Sequence, residues 1–91
     1  MQKIKTYRDL IIWQKAIKLI TKIYKITKFF PKEEVHTLTS KIRRSFISIP
    51  SNIAEGYGRK AKKEYARFLQ ISLGSLFELQ TQLEFSLIKN I

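Results

Sequence analysis

A helical pattern of apolar residues that runs straight through a proline constrains the fold of this chain more than any other feature. Apolar side chains recur every three or four positions at Val35, Leu38, Ile42, Phe46, Ile49 and Ile53. This spacing places them on one face of a helix. Pro50 lies inside that span, has no N–H for the Phe46 carbonyl, and costs about 3 kcal/mol in an ordinary helix interior. We therefore predict one long helix that is kinked at Pro50.

Short polar side chains surround the proline and offer partners for the backbone groups that a bend releases. Ser48, Ser51 and Asn52 stand next to it, and Glu55 follows the asparagine by three positions. Hydroxyl and amide groups satisfy freed backbone atoms where helices bend. We predict a structural polar network at Ser48, Pro50, Ser51, Asn52 and Glu55, with a small binding site at Asn52 and Glu55 as the alternative.

Scarce turn residues indicate an all-α chain. The 91 residues include only three glycines and two prolines. The patterns predict helices over about residues 8–29, 32–56 and 62–89, with Pro31 in the first turn of helix two. Gly56 and Gly58 are expected to end helix two with left-handed backbone angles. Residues 1–91 are predicted to form a single helical-bundle domain, because a chain of this length supports one modest core.

Helix one carries a wide apolar stripe that suits a bundle, and helix three carries apolar residues on more than one side. Helix one has two adjoining apolar rows, at Ile12, Ala16, Leu19, Ile23, Ile26 and Phe30 and at Trp13, Ile17, Ile20, Tyr24 and Thr27. Helix three has apolar residues off its main face, at Ile71, Leu73, Phe77 and Phe85, and few charges. For helix three we infer a subunit interface, with a solvated Gln and Ser face as the alternative. Gly74 and Ser75 suit close approach of a neighbour or serve packing alone.

Charge is strongly positive and unevenly distributed. The formal net charge is +11 at pH 7; residues 1–32 hold nine Lys or Arg against one Asp, whereas residues 68–91 hold one Lys against two Glu. A basic surface of this size attracts nucleic acid, an acidic protein or an anionic membrane surface. The chain has no cysteine, and lysines interrupt its longest apolar patches. We expect a cytoplasmic protein without disulfides, signal peptide or membrane span.

Four lysines form a line along helix one. Lys15, Lys18, Lys22 and Lys25 follow spacings of three, four and three, and Lys28 and Lys32 extend the line. Like charges at these offsets repel, and no acidic residue stands at the usual offset to relieve them. We call Lys15, Lys18, Lys22 and Lys25 the lysine stripe and predict that it binds a polyanion. The alternative is a solvated helix face.

A second basic cluster lies between helices two and three. This junction cluster comprises Arg59, Lys60, Lys62, Lys63 and Arg67. The start of a helix also presents backbone N–H groups to phosphate. Tyr57 and Tyr65 flank the cluster and either stack on bases or pack against the protein. Arg43 and Arg44 are expected at the edge or far side of helix two, where each either reaches a phosphate or pairs with Glu55.

The inventory for catalysis is poor. His36 is the only histidine, and it lies in a polar helix start without a cysteine or second histidine to work with. No serine has the glycine-flanked setting of a nucleophile, and no glycine-rich loop suits a phosphate cofactor. We predict no enzymatic activity, no cofactor and no metal site.

The chain resembles a four-helix-bundle family first named for proteins encoded in intervening sequences of bacterial 23S ribosomal RNA genes. The resemblance extends over nearly the whole chain. It rests on the segments at residues 7–10, 13–16, 30–31, 38–40, 42–45, 48–58, 68–69, 74–76 and 78–79. Ser48 to Gly58 is the most specific of them.

The resemblance implies an antiparallel up-down helical bundle and a ring-shaped homopentamer. In one branch of the family, the accessory proteins of diversity-generating retroelements, a basic pentamer binds nucleic acid and a reverse transcriptase. The chain departs from the family because Ile91 follows helix three directly, where a fourth helix would come. We expect either a shortened member or a fragment, or a neighbouring subunit that covers the open surface.

Two functional hypotheses follow. The first is a non-enzymatic, homo-oligomeric protein that binds RNA or DNA through phosphate contacts from the lysine stripe, the junction cluster, Arg43 and Arg44. The alternative is an interaction scaffold or accessory subunit for an acidic protein partner, such as a reverse transcriptase, with no direct nucleic-acid role.

Overall fold

The computed structural model describes residues 3–91 and contains three long helices. They are α1 (Ile11–Thr27), α2 (Leu38–Gly58) and α3 (Lys62–Ile88), with short 3-10 helices at Tyr7–Asp9 and Lys32–Glu34. No strand occurs within residues 3–91, so the all-α prediction is confirmed. Met1 and Gln2, which the predicted domain includes, lie outside the described residues.

The residues where helix one was predicted to begin form a capped 3-10 helix, Tyr7–Asp9, that precedes α1. The Thr6 hydroxyl accepts the Arg8 backbone N–H, and the Asp9 carboxylate accepts the backbone N–H groups of Lys5 and Thr6. These hydrogen bonds, the one from Lys5 first, hold the pKa of the Asp9 carboxyl below its usual value. Leu10 then has an extended backbone, so α1 begins at Ile11 and not at residue 8.

The predicted start of helix two at residue 32 is wrong by six residues. Pro31 has an extended backbone with ψ of 145° and precedes a 3-10 helix, so it does not occupy the first turn of α2. The chain then passes through Thr37, whose φ of −120° and ψ of −99° interrupt helical geometry, and α2 begins at Leu38. The two carboxylates of Glu33 and Glu34 therefore lie in the 3-10 helix.

The helix continues through Pro50 as predicted. Pro50 is buried inside α2, which has helical geometry on both sides of it. The apolar face of α2 is buried at Leu38, Ile42, Phe46, Ile49 and Ile53, whereas Val35 precedes the helix and is exposed. The pattern of three-and-four spacing therefore identified the buried side of α2 correctly.

The end of α2 corrects the prediction about glycines. Gly56 and Gly58 both lie within α2, and neither has a positive φ. Lys60 instead has the left-handed backbone, with a φ of 60°. Gly56 serves close packing, because a Cβ atom added there would lie 2.6 Å from the Cβ of Phe68 on α3. At Gly74, where close approach was considered, an added Cβ would meet nothing within 4 Å.

α2 is the central element, since it packs against both α1 and α3. Hydrogen bonds between α2 and α3 join Ser45 to Glu78 (3.3 Å), Ser48 to Ser75 (2.8 Å) and the Ile49 carbonyl to the Ser72 hydroxyl (2.9 Å). On the other side, Phe46 of α2 meets the ring of Tyr24 on α1 edge to face at 6.5 Å.

The core forms where α1 and α3 both pack against α2. Its buried members are Ala16, Ile20 and Ile23 from α1, Leu38, Ile42, Phe46, Ile49 and Ile53 from α2, and Leu79 from α3. Half of the first of the two apolar rows of α1 is left outside, because Ile12, Leu19 and Ile26 are exposed. None of the three helices is long and apolar enough to cross a bilayer.

Candidate nucleic-acid interface

The lysine stripe lies on the solvent side of α1. Lys15, Lys18, Lys22 and Lys25 are all exposed. A rotation of about 100° per residue places the four within an arc of about 80°, roughly opposite the buried residues of α1. With a rise of about 1.5 Å per residue, the stripe extends about 15 Å along the helix. Four ammonium groups can therefore meet one strand or one duplex backbone together.

No carboxylate neutralises the stripe among residues 3–91. The two ion pairs within this range are Arg59 with Glu55 at 2.9 Å and Arg67 with Glu64 at 3.1 Å. Both pairs lie near the junction, and neither includes a stripe lysine. The mutual repulsion expected of the stripe therefore has no acidic partner to relieve it in this part of the chain.

The junction cluster is exposed, but only two of its five members form ion pairs. Arg59 and Arg67 are paired with carboxylates, and their guanidinium carbons lie 5.3 and 4.6 Å from the centre of the buried Phe68 ring. The hydrogen bond from Arg67 lowers the pKa of the Glu64 carboxyl. Exposed pairs of this kind contribute about 0 to 1 kcal/mol to stability. Their main effect is to hold the two arginines in place.

The other three members, Lys60, Lys62 and Lys63, are exposed and take part in no ion pair within residues 3–91. Lys62 and Lys63 stand in the first turn of α3, and Ala61, the residue before it, supplies no side-chain cap. The first backbone N–H groups of the helix therefore keep their capacity to bind an anion beside two cations.

Tyr57 and Tyr65 pack against each other beside the junction. Their rings are 6.1 Å apart at an angle of 80°, which is an edge-to-face arrangement, and both residues are half-buried. This geometry fits the packing alternative better than stacking on bases, because each ring already has an aromatic neighbour.

Arg43 and Arg44 have different surroundings although they are adjacent. Arg43 is half-buried: its Nε donates to the Thr27 hydroxyl at 3.1 Å, and its guanidinium lies 4.7 Å from the centre of the Tyr24 ring. Arg44 is exposed. Neither pairs with Glu55, because that carboxylate binds Arg59. Arg43 is therefore fixed at the α1–α2 contact, while Arg44 projects from α2.

The polar group next to Pro50 is smaller than predicted. The Asn52 amide donates to the backbone carbonyl of Ser48 at 2.8 Å and to its hydroxyl at 2.9 Å, and that hydroxyl also meets Ser75. Glu55 lies outside this group, with Arg59, and Ser51 is exposed. Asn52 and Glu55 therefore do not share one network. Ser75 is an addition that the sequence did not identify, because it comes from α3.

An apolar groove next to the stripe lies between α1 and α3. Its volume is about 370 Å³, and its floor is formed by Ile49 and Ile53 of α2. Ile12 (50% exposed) and Leu73 (49% exposed) line its two walls, and Lys15 stands at its rim. Sequence reasoning assigned the exposed apolar surface to α3 alone. The apolar row of α1 that includes Ile12, Ala16 and Leu19 was the available signal for the other wall.

No three His, Cys, Asp or Glu side chains within residues 3–91 come together in a way that would hold a metal ion. His36 is exposed and lies between the 3-10 helix and α2.

Comparison with known proteins identifies the chain at the level of its family. No curated protein matched it. The family model described as 23S rRNA-intervening sequence protein matches residues 8–91. The match includes the lysine stripe, the segment around Pro50 and the junction cluster. The chain therefore belongs to the 23S rRNA-intervening sequence protein family.

Proposed function

We propose that this protein is a non-enzymatic, homo-oligomeric helical protein that binds RNA or DNA through phosphate contacts. The observation that carries the proposal is the lysine stripe, which is exposed, straight and without a carboxylate partner in residues 3–91. A helix face that serves only solubility normally carries glutamates among its lysines. A phosphate backbone supplies the negative charge that the stripe lacks.

The length of the stripe suits a nucleic acid. Double-stranded DNA carries one negative charge per about 1.7 Å of its axis, so a 15 Å contact passes about nine phosphates. Arg44 on α2, together with Lys60, Lys62 and Lys63 at the junction, would extend the contact beyond α1. Phosphate contacts position a protein without reading bases, so we expect little sequence preference.

The fold we infer is an antiparallel up-down bundle in which α2 bends at Pro50. The groove between α1 and α3 supports assembly, because an exposed apolar surface favours association. By family resemblance, the assembly is a pentamer. Leu73→Glu is expected to lower the mass measured by sedimentation, and Thr81→Glu, also on an exposed position of α3, is expected to leave it unchanged. Equal masses for both variants would count against assembly through this face.

The test of nucleic-acid binding compares two variants with the same loss of charge. One replaces the four stripe lysines with glutamine. The control replaces four exposed lysines elsewhere, Lys3, Lys5, Lys41 and Lys89. Fluorescence anisotropy with labelled RNA and DNA should give a much larger loss of affinity for the stripe variant than for the control. Equal losses of affinity would mean that the stripe lysines act only through the net charge of the protein, and this result would contradict the proposal.

A second candidate is a scaffold or accessory subunit for an acidic partner such as a reverse transcriptase, with no direct role in nucleic-acid binding. The observation that favours it is the apolar groove with Lys15 at its rim, since protein interfaces combine an apolar centre with a charged edge. Affinity purification with and without nuclease separates the two candidates. A protein partner that persists after nuclease treatment, together with no affinity for RNA or DNA, would favour the scaffold.

A further inference from the structure

A second concave site lies where the turn after α1 meets the start of α2. It has a volume of about 410 Å³. It is lined by Thr27, Lys28, Phe30, Pro31, Lys32, Val35, Thr39 and Arg43. Three of these residues are cationic and none is acidic. We call this site the corner pocket.

Two of the three cations of the corner pocket lie against the same aromatic ring. The Lys28 ammonium lies 5.1 Å from the centre of the Tyr24 ring, and the Arg43 guanidinium lies 4.7 Å from the same centre. The ring fixes both positions without removing either charge. The nearby Glu34 carboxylate accepts a hydrogen bond from the Thr37 hydroxyl at 2.8 Å and lines a neighbouring cavity instead. An anion in the corner pocket would relieve the repulsion between the two cations.

Thr39 supplies an independent indication of a missing ligand. It is 5% exposed, it lines the pocket, and its Oγ1 is buried without a hydrogen-bond partner. Threonine hydroxyls in helices usually donate to the carbonyl three or four positions earlier, as Thr27 does to Tyr24. Thr39 stands in the first turn of α2, where no preceding helical turn supplies that carbonyl. A buried hydroxyl without a partner costs free energy unless something else binds it.

We propose that the corner pocket binds a phosphate group. Phosphate is the ligand class that takes hydrogen bonds from a guanidinium, an ammonium and a hydroxyl at once, and it carries the charge that the pocket lacks. Arg43 and Lys28 bind its oxygens, and the Thr39 hydroxyl donates to a third oxygen. The group comes either from the end of a nucleic-acid chain or from a free phosphate compound. The inference goes beyond the proposed function, because the lysine stripe takes no part in the pocket.

The direct test uses inorganic phosphate at low ionic strength and follows the backbone amide signals by NMR. We expect saturable shifts centred on Thr39 and Arg43. Thr39→Val removes the hydroxyl but keeps the shape, so the fold is retained and phosphate affinity falls about tenfold. Thr81→Val, the same change at an exposed position of α3, leaves the phosphate affinity unchanged. Arg43→Gln weakens binding about tenfold or more, whereas Lys41→Gln, a loss of charge at an exposed position of α2 that does not line the pocket, has little effect.

The results that would overturn the site are equally specific. They are the absence of saturable shifts with inorganic phosphate, or an affinity that neither Thr39→Val nor Arg43→Gln changes. This test contains no nucleic acid, so a negative result would not contradict the proposed function. Likewise, a stripe variant that keeps its nucleic-acid affinity would not contradict phosphate binding in the corner pocket. Oligonucleotides with and without a 5′-phosphate identify the source. A preference for the phosphorylated chain that Thr39→Val abolishes assigns a nucleic-acid end, and equal affinities assign a free phosphate compound.

Discussion

Gly56 controls how closely α2 and α3 approach, and replacing it with alanine should destabilise the protein. A Cβ atom at this position would lie 2.6 Å from the Cβ of Phe68, about 1 Å closer than carbon atoms prefer. The Phe68 Cβ is attached to the backbone of α3, so it cannot swing aside as the end of a flexible side chain would. The two helices must separate locally, and overpacking of this kind costs about 1 to 3 kcal/mol.

Helix propensity acts in the opposite direction and must be subtracted. Alanine is better than glycine in a helix interior by about 1 kcal/mol. We therefore expect Gly56→Ala to lower the free energy of unfolding by about 1 to 2 kcal/mol, from the upper part of the overpacking range. Gly74→Ala is the matched control, because an added Cβ meets nothing within 4 Å there. It should raise the free energy of unfolding by about 0.5 to 1 kcal/mol.

Urea unfolding followed by far-UV circular dichroism measures both variants. Protein concentration must be the same throughout, because any assembly makes apparent stability depend on concentration. The order expected is Gly74→Ala, wild type, Gly56→Ala, from most to least stable. If Gly56→Ala were at least as stable as the wild type, the close contact between α2 and α3 at Phe68 would be refuted.

Three further predictions concern hydrogen bonds. Ser72→Ala removes the donor to the Ile49 carbonyl and should lower the free energy of unfolding by about 1 kcal/mol, measured by urea unfolding; no change would mean that the bond adds nothing. A double-mutant cycle on Ser48 and Ser75, each changed to alanine, should give a coupling of about 0.5 to 1 kcal/mol, whereas strict additivity would contradict the bond between them. The pKa of the Asp9 carboxyl is lowered in the folded protein, so its contribution to stability is present above the unfolded pKa and is lost as pH falls through the folded pKa. An NMR titration should place the Asp9 pKa below that of an unfolded aspartate, and an equal or higher value would contradict the capped turn.

Periodicity identified the long helices and the buried face of α2, because those properties depend on local spacing. Ile42, Phe46, Ile49 and Ile53 are buried where the three-and-four pattern places them. The helix starts were less predictable. Pro31, Glu33 and Glu34 are compatible with the start of a 3-10 helix as well as with the first turn of an α-helix. The start of α2 was therefore predicted six residues before the observed start at Leu38.

Contacts between helices depend on which residues meet, and spacing along one helix does not contain that information. Gly56 and Gly74 cannot be distinguished from the sequence alone, because only the partner helix decides which one faces Phe68. The unpartnered hydroxyl of Thr39 likewise follows from the start of α2, which the sequence placed too early.

The pairing of Glu55 with Arg59 was within reach of the sequence. The two residues are four positions apart, which is the usual spacing of helical ion pairs, and Glu64 and Arg67 are three apart. Sequence reasoning considered Arg43 and Arg44 as partners of Glu55 instead. The prediction that the lysine stripe binds phosphate rests on four positions that the structure places on one exposed face of α1.

The salt dependence of nucleic-acid affinity tests that central claim most directly. Each lysine that neutralises a phosphate contributes about 0.9 to the slope of log affinity against log salt concentration on duplex DNA. Replacing Lys15, Lys18, Lys22 and Lys25 with glutamine should therefore reduce the magnitude of the slope by about 3 to 4. A slope equal to that of the wild type would show that the stripe does not contact the phosphate backbone.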